Sequence, residues 1–113
     1  MLAVLDLRRV SWRRQHARHE YLGYLTVTDE TIRLSGREGN TEIDVALSIP
    51  CSAVVGVRVG TALDEQLAGE DAVVLELTDG EPIVLGPVGA GRLALNQLAH
   101  RLALAVEPPR QVA

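Results

Sequence analysis

Between residues 21 and 85, apolar and polar side chains alternate with a period of two; after residue 92 the period becomes helical. In 42–50, Ile43, Val45, Leu47 and Ile49 fall on one face while Asp44, Ala46 and Ser48 fall on the other, as in a strand with one buried side. In 53–60, Val55, Val57 and Val59 alternate with Val54, Gly56 and Arg58. In 72–78, Val73, Leu75 and Leu77 alternate with Val74, Glu76 and Thr78. Segments 21–27, 31–35 and 82–85 complete six predicted strands. The first of these is apolar on both sides, with Tyr21, Leu25 and Val27 opposite Leu22 and Tyr24.

Turn residues separate the strands. Asp79-Gly80 signals a two-residue hairpin between 72–78 and 82–85, because a type I′ turn needs positive φ at both central positions. Thr28-Asp29-Glu30, the polar run 36–41 and Pro50-Cys51-Ser52 mark the other connections, and links this short favour antiparallel neighbours. The longer 61–71 connection predicts a short helical turn capped by Thr61, with Leu63 and Leu67 sharing its face and Gly69 ending it.

After Pro87-Val88-Gly89, residues Leu95, Leu98, Ala99, Leu102 and Val106 follow i, i+3, i+4, i+7 spacing, which predicts a helix over Arg92–Val106 ended by Pro108-Pro109. Leu93 and Leu104 fall on its opposite face near His100, either as scattered surface leucines or as a partner-binding ridge. On a helical wheel Leu2, Val4, Leu5, Leu7, Val10 and Trp12 scatter around the axis, which argues against a membrane-surface helix. A short strand near 10–14 with Trp12 facing the core is the alternative. The resulting plan is mainly β with one C-terminal helix. Residues 1–19 form a basic N-terminal arm or first strand, 20–107 the domain, and 108–113 a tail.

Composition narrows the chemistry. At 113 residues the chain is one domain, large enough to bury a core without a disulfide or metal. Phe is absent, so the core is built from Val, Leu, Ile and Ala. All 11 basic residues are Arg, which rules out a Schiff-base lysine, a P-loop lysine and a Ser-x-x-Lys dyad. The single Cys51 forms no internal disulfide and fits a reducing compartment. No apolar run approaches the ~20 residues of a membrane span, and no signal peptide is read, so the expected location is the cytoplasm.

Charge is uneven. Residues 1–19 carry five Arg against Asp6, while 20–113 carry six Arg against 14 acids. Arg13, Arg14 and Arg18 are therefore the candidate anion-binding residues, for a lipid headgroup, a cyclic dinucleotide or nucleic acid; few aromatics and the acidic remainder weaken the nucleic-acid version. Leu93, His100 and Leu104 are the candidate partner-binding residues. His16, His19 and Glu20 are too few and too close to arginines for zinc. Asp64, Glu65, Glu70 and Asp71 read as a solvated acidic connection rather than a hard-cation loop. Cys51 reads as a buried structural thiol, and no Ser nucleophile motif is present. No metal or cofactor is expected.

The run from Gly23 to Leu34 (GYLTVTDETIRL) resembles the opening hairpin of bacterial PH-like domains, including GRAM-related types. The blocks Leu47–Val59 (LSIPCSAVVGVRV) and Leu75–Leu85 (LELTDGEPIVL) resemble the middle strands and the hairpin before the closing helix. The resemblance spans about residues 20–106. It implies a two-sheet antiparallel barrel or sandwich capped by the helix, and no enzyme. Phosphoinositide-binding members place basic residues at the first hairpin turn; here that turn is Thr28-Asp29-Glu30, which repels phosphate, and only Arg33 and Arg37 stand near it. Arg14-x-x-x-Arg18 is similar to the RxxxR of PilZ domains, but Leu34 stands where their second element has Gly. The expected function is a non-catalytic protein-interaction module, self-association included, with Arg-mediated anion binding as the alternative.

Overall fold

The computed structural model describes residues 5–38, 44–78, 80–89 and 91–106. They form β1 (Leu5–Arg14), β2 (Tyr21–Val27), β3 (Thr31–Glu38), β4 (Asp44–Pro50), β5 (Val54–Gly60), β6 (Gln66–Leu67), β7 (Glu70–Leu77), β8 (Ile83–Pro87) and α1 (Arg92–Val106), with 3-10 turns at Cys51–Ala53 and Leu63–Glu65. The architecture is mainly β, a curled antiparallel sheet in the order β4-β3-β2-β1-β8-β7-β5 with one helix against it. None of the described helices is long and apolar enough to cross a membrane.

Residues 5–14 form the first strand rather than an arm. β1 is the central strand: it pairs with β2 along its length, and its residues Val10 to Arg14 pair with Pro87 to Ile83 of β8. One strand thus joins a β1–β4 half to a β5, β7, β8 half. The inner sides of both halves and the α1 stripe of Leu95, Leu98 and Leu102 close one aliphatic core around Val10, Leu25 and Leu75. Burial of apolar area is the main stabilising term in such a core.

Trp12 enters that core, only 2% exposed. Its indole N–H donates to the Ser35 carbonyl at 3.0 Å, and its ring lies 4.8 Å from that of Tyr21. Nearby, Gly23 and Gly36 face each other as a cross-strand pair. A Cβ on Gly23 would stand 1.9 Å from Ser35 O and 2.5 Å from Gly36 Cα, so β2 and β3 approach as only glycine permits.

Several local expectations shift. β3 runs on to Glu38 through Gly36, and β4 begins at Asp44; residues 39–43 and the terminal 107–113 lie outside the described residues. Val55 does not share a face with Val57 and Val59. A register shift between Val54 and Gly56 turns it outward, 66% exposed. A two-residue turn at Asp79-Gly80 would pair Leu75 with Val84, but Leu75 pairs with Ile83, so the register is shifted by one and residues 78–82 connect the two strands. Gly80 does take positive φ, at 84°; Asp79 lies outside the described residues.

The 61–71 connection departs most. Leu63 and Leu67 do not share a face: Leu63 is 90% exposed and Leu67 is buried. Ala62, not Thr61, precedes the 3-10 turn. β6 and β7 pair Leu67 with Glu70 around Ala68 and Gly69, at φ 51° and 80°, the geometry of a type I′ hairpin. This segment is a strap across the outer side of β7 and β8. Leu67 packs there on Ala72 and Val84 as a second small cluster, which is why β7 is buried on both faces.

Candidate functional site

The strap is tied down by an arginine the sequence placed among anion binders. Arg13 is buried, and its guanidinium donates to the carbonyls of Arg14 (3.2 Å), Gln15, Asp64 (3.2 Å) and Gln66 (2.6 Å). Its donors face backbone oxygens rather than a ligand. Arg14 and Arg18 are exposed, so the three do not form one open site. Gln15 Nε2 donates to Asp64 at 2.9 Å, a second link between the end of β1 and the strap.

The acidic residues of 61–71 are likewise engaged. Glu65 is buried, its carboxylate accepts from the Arg58 guanidinium, and the Ala62 N–H donates to it at 3.3 Å. The bond from Arg58, more than the other contacts, holds the Glu65 carboxyl below its ordinary range. Asp71 accepts from Arg92 at the start of α1 and from Gln66 Nε2 at 3.2 Å. Among the described residues no group of acids, His or Cys is arranged to hold a metal.

A groove of 870 Å³ lies between this strap, the end of β8, the start of α1 and the outer side of β1–β3. Its apolar lining includes Tyr21, Leu22, Leu67, Pro87, Val88 and Leu95. Leu22 is 51% exposed, an apolar side chain of this size left half in water. Gly86 in the wall leaves room: a Cβ there would meet Leu95 and Leu67 methyls and Ala72 Cβ at 3.7, 3.9 and 4.0 Å, ordinary contact distances. Three polar rim residues, Glu20, Arg37 and Asp71, are bonded to neighbours. Glu20 accepts from the Ser11 hydroxyl at 3.3 Å and from the Ala68 N–H at 2.9 Å, and Arg37 donates to Asp44 at 2.6 Å. That bond raises Arg37 above its ordinary value, with a small contribution from the nearby Tyr24 phenol.

Leu22 and Arg37 belong both to the groove and to the outer face of β1–β3. Across that face Ser11, Leu22, Arg37 and Asp44 form one row, and Tyr24, Ser35 and Ala46 the next. On β1 the register shifts between Leu7 and Val10, so both Arg8 and Arg9 stand opposite Tyr24.

The helix candidates are exposed but spread out. Leu93 and Leu104 lie three turns apart on α1 with His100 between them, about 16 Å from end to end. A hollow of 570 Å³ beside α1 is lined by His100, Leu98, Leu5 and Leu7, and Leu93 and Leu104 are not part of it.

The Cys51 thiol is shielded by its surroundings. Cys51 is buried, and its thiol donates weakly to Thr28 O at 3.8 Å. Burial, aided by the Asp29 charge, pushes that thiol up, away from the nucleophilic thiolate. His19 stands 3.1 Å from Glu38, at an exposed corner. Sequence reasoning missed the groove because its walls come from segments far apart in the chain. The one local signal was the two-faced apolar character of 21–27. No protein-family model matches the chain, and neither does any curated protein.

Proposed function

We propose that this chain is a non-catalytic protein-interaction module of PH-like fold, and that its groove receives a segment of a partner polypeptide. The observation that carries this reading is the groove itself. It is apolar along its floor, half-exposes Leu22 at one end, and has the rim carboxylates of Glu20 and Asp71 already bonded to neighbours. Apolar anchors in a concave site, with a satisfied polar rim, suit binding more than proton transfer. The PH-like part of the proposal is supported by the order of the strands, with β1 shared between two halves and α1 set against one of them. Buried, unpaired Cys51 fits a reducing setting, and a cytoplasmic location is part of the proposal.

The test is site-specific photocrosslinking of the full chain in its native cell, with the crosslinker at Leu22 or Val88, and at Leu63 as an exposed control outside the groove. A discrete polypeptide adduct is expected from the two groove positions and not from Leu63, and it is expected to vanish when Gly86→Leu fills the wall. An adduct of two copies of this chain would identify the partner as itself. No adduct, or the same adducts from Leu63, would sink the reading.

A further inference from the structure

The basic face beside the groove indicates the chemistry of the occupant. We infer that the partner segment is acidic next to its apolar anchor, with its carboxylates lying on the outer face of β1–β3 among Arg8, Arg9, Arg33 and Arg37 around Tyr24. This rests on the groove being the binding site.

Three observations carry the inference. First, the β1 bulge puts two successive arginines opposite one residue, and that residue is Tyr24, a tyrosine 56% exposed at the centre of the face. Arg33 and Arg37 lie on the next strand, one register step to either side of Ser35, which pairs with Tyr24. Second, Arg8, Arg9 and Arg33 are exposed and their guanidinium groups have no hydrogen bond or ion pair among the described residues; of the four, Arg37 is paired, with Asp44. Asp6, in the row Asp6–Thr26–Arg33, and Asp44 are the carboxylates on this face, so its balance stays positive while the chain as a whole has a net charge of −4, a local reversal of sign. Third, the face is continuous with the groove through Leu22 and Arg37.

Dimensions set the length of the segment. Strands lie ~4.8 Å apart and rise ~3.3 Å per residue, so the arginines span roughly 10 by 13 Å, enough for about four residues of extended peptide. Arginine suits carboxylates through its planar fork, and the tyrosine face offers apolar contact and a hydroxyl at low entropic cost. A nucleic acid fits less well. Tyr24 is the single aromatic at the centre of the face, and the groove beyond Leu22 is rimmed by Glu20, Glu70 and Asp71, which repel phosphate. A peptide meets both demands at once, with carboxylates over the arginines and an apolar side chain in the groove.

The experiment selects binders from a phage-displayed library of random peptides on the immobilised full chain. In parallel it uses the variant Arg8→Glu/Arg9→Glu/Arg33→Glu, whose circular dichroism is checked against wild type. The expected consensus is an apolar residue beside Asp or Glu. The synthesised peptide should bind the variant about 10-fold or more weakly, lose affinity steeply with salt, and be replaced by Lys/Arg-bearing peptides on the variant. An uncharged apolar consensus, unchanged in the variant, would overturn this inference and leave the groove reading standing. No selected peptide on either protein would overturn both. Binding of a single-stranded oligonucleotide or of phosphatidylserine vesicles, lost in the variant and unaccompanied by an acidic consensus, would assign the face to that anion and overturn the inference.

Discussion

Replacing Arg13 tests whether this arginine is a strut or a ligand-binding group. In Arg13→Ala four carbonyl oxygens lose the guanidinium, although that of Arg14 keeps the Ala17 N–H as a donor. Those of Arg14 and Gln15 belong to neighbouring residues near the surface, and water replaces the guanidinium there. The bonds to Asp64 and Gln66 bridge 51 and 53 residues and are what fastens the strap to β1. A hydrogen bond from a charged donor contributes ~1.5–3 kcal/mol, and Asp64 is itself exposed, so the pair is counted near the low end, ~3 kcal/mol together. Lost packing of the buried stem adds to this. Against a total stability of ~5–15 kcal/mol that is a large fraction. In urea, with a slope of ~2 kcal/mol per M, the midpoint drops by about 1.5 M. Arg13→Lys keeps the charge but not the fork, and is expected to lose about half as much. Hydrogen exchange should rise first in the strap, around residues 61–67, before the core loosens. A midpoint within ~0.3 M of wild type for Arg13→Ala, or a lysine variant as stable as wild type, would refute the strut argument.

Two glycines on the same sheet should respond oppositely. Gly23→Ala forces a Cβ onto the Ser35 carbonyl and should cost at least ~3 kcal/mol, whereas Gly86→Ala finds ordinary contact distances and should be neutral or stabilising by up to ~1 kcal/mol in the same urea titration. Trp12→Phe removes the donor to Ser35 O and ring volume together, a loss of ~2 kcal/mol measured by circular dichroism; equal stability would mean that the indole bond contributes nothing. Glu65 has its folded-state pKa lowered by Arg58, so its contribution is present above the unfolded carboxyl value of ~4.3 and disappears as pH falls through the lower folded value. Glu65→Gln should therefore be less stable than wild type at neutral pH and converge with it in acid, and a gap that stays constant down to pH ~2 would contradict this assignment.

Local patterning determined most of the elements, because inner and outer sides of a strand, or the stripe of a helix, are written within a few residues. Val73, Leu75 and Leu77 on β7, Ile49 on β4 and Leu95, Leu98 and Leu102 on α1 all face where their spacing places them. β1 was obscured for a physical reason. Leu5 and Leu7 are in phase with each other, as are Val10 and Trp12, but the bulge at Arg8-Arg9 shifts one pair against the other, so neither a helical nor a strand period runs through. Val55 was misassigned by the same device on β5. The strap reads as solvated acid because its composition is polar; only the second face of β7 and β8 makes Leu67 and Glu65 interior. Arg13 reads as a free cation because the carbonyls it binds arrive from the other half of the chain. The sequence by itself thus determined six of the strands and the helix, and that no lysine chemistry operates, but not the full span of β1 or the strand β6. Tertiary structure alone decided which charges are struts, which arginines stand open around Tyr24, and where a groove forms, because each depends on segments that meet only when the sheet curls.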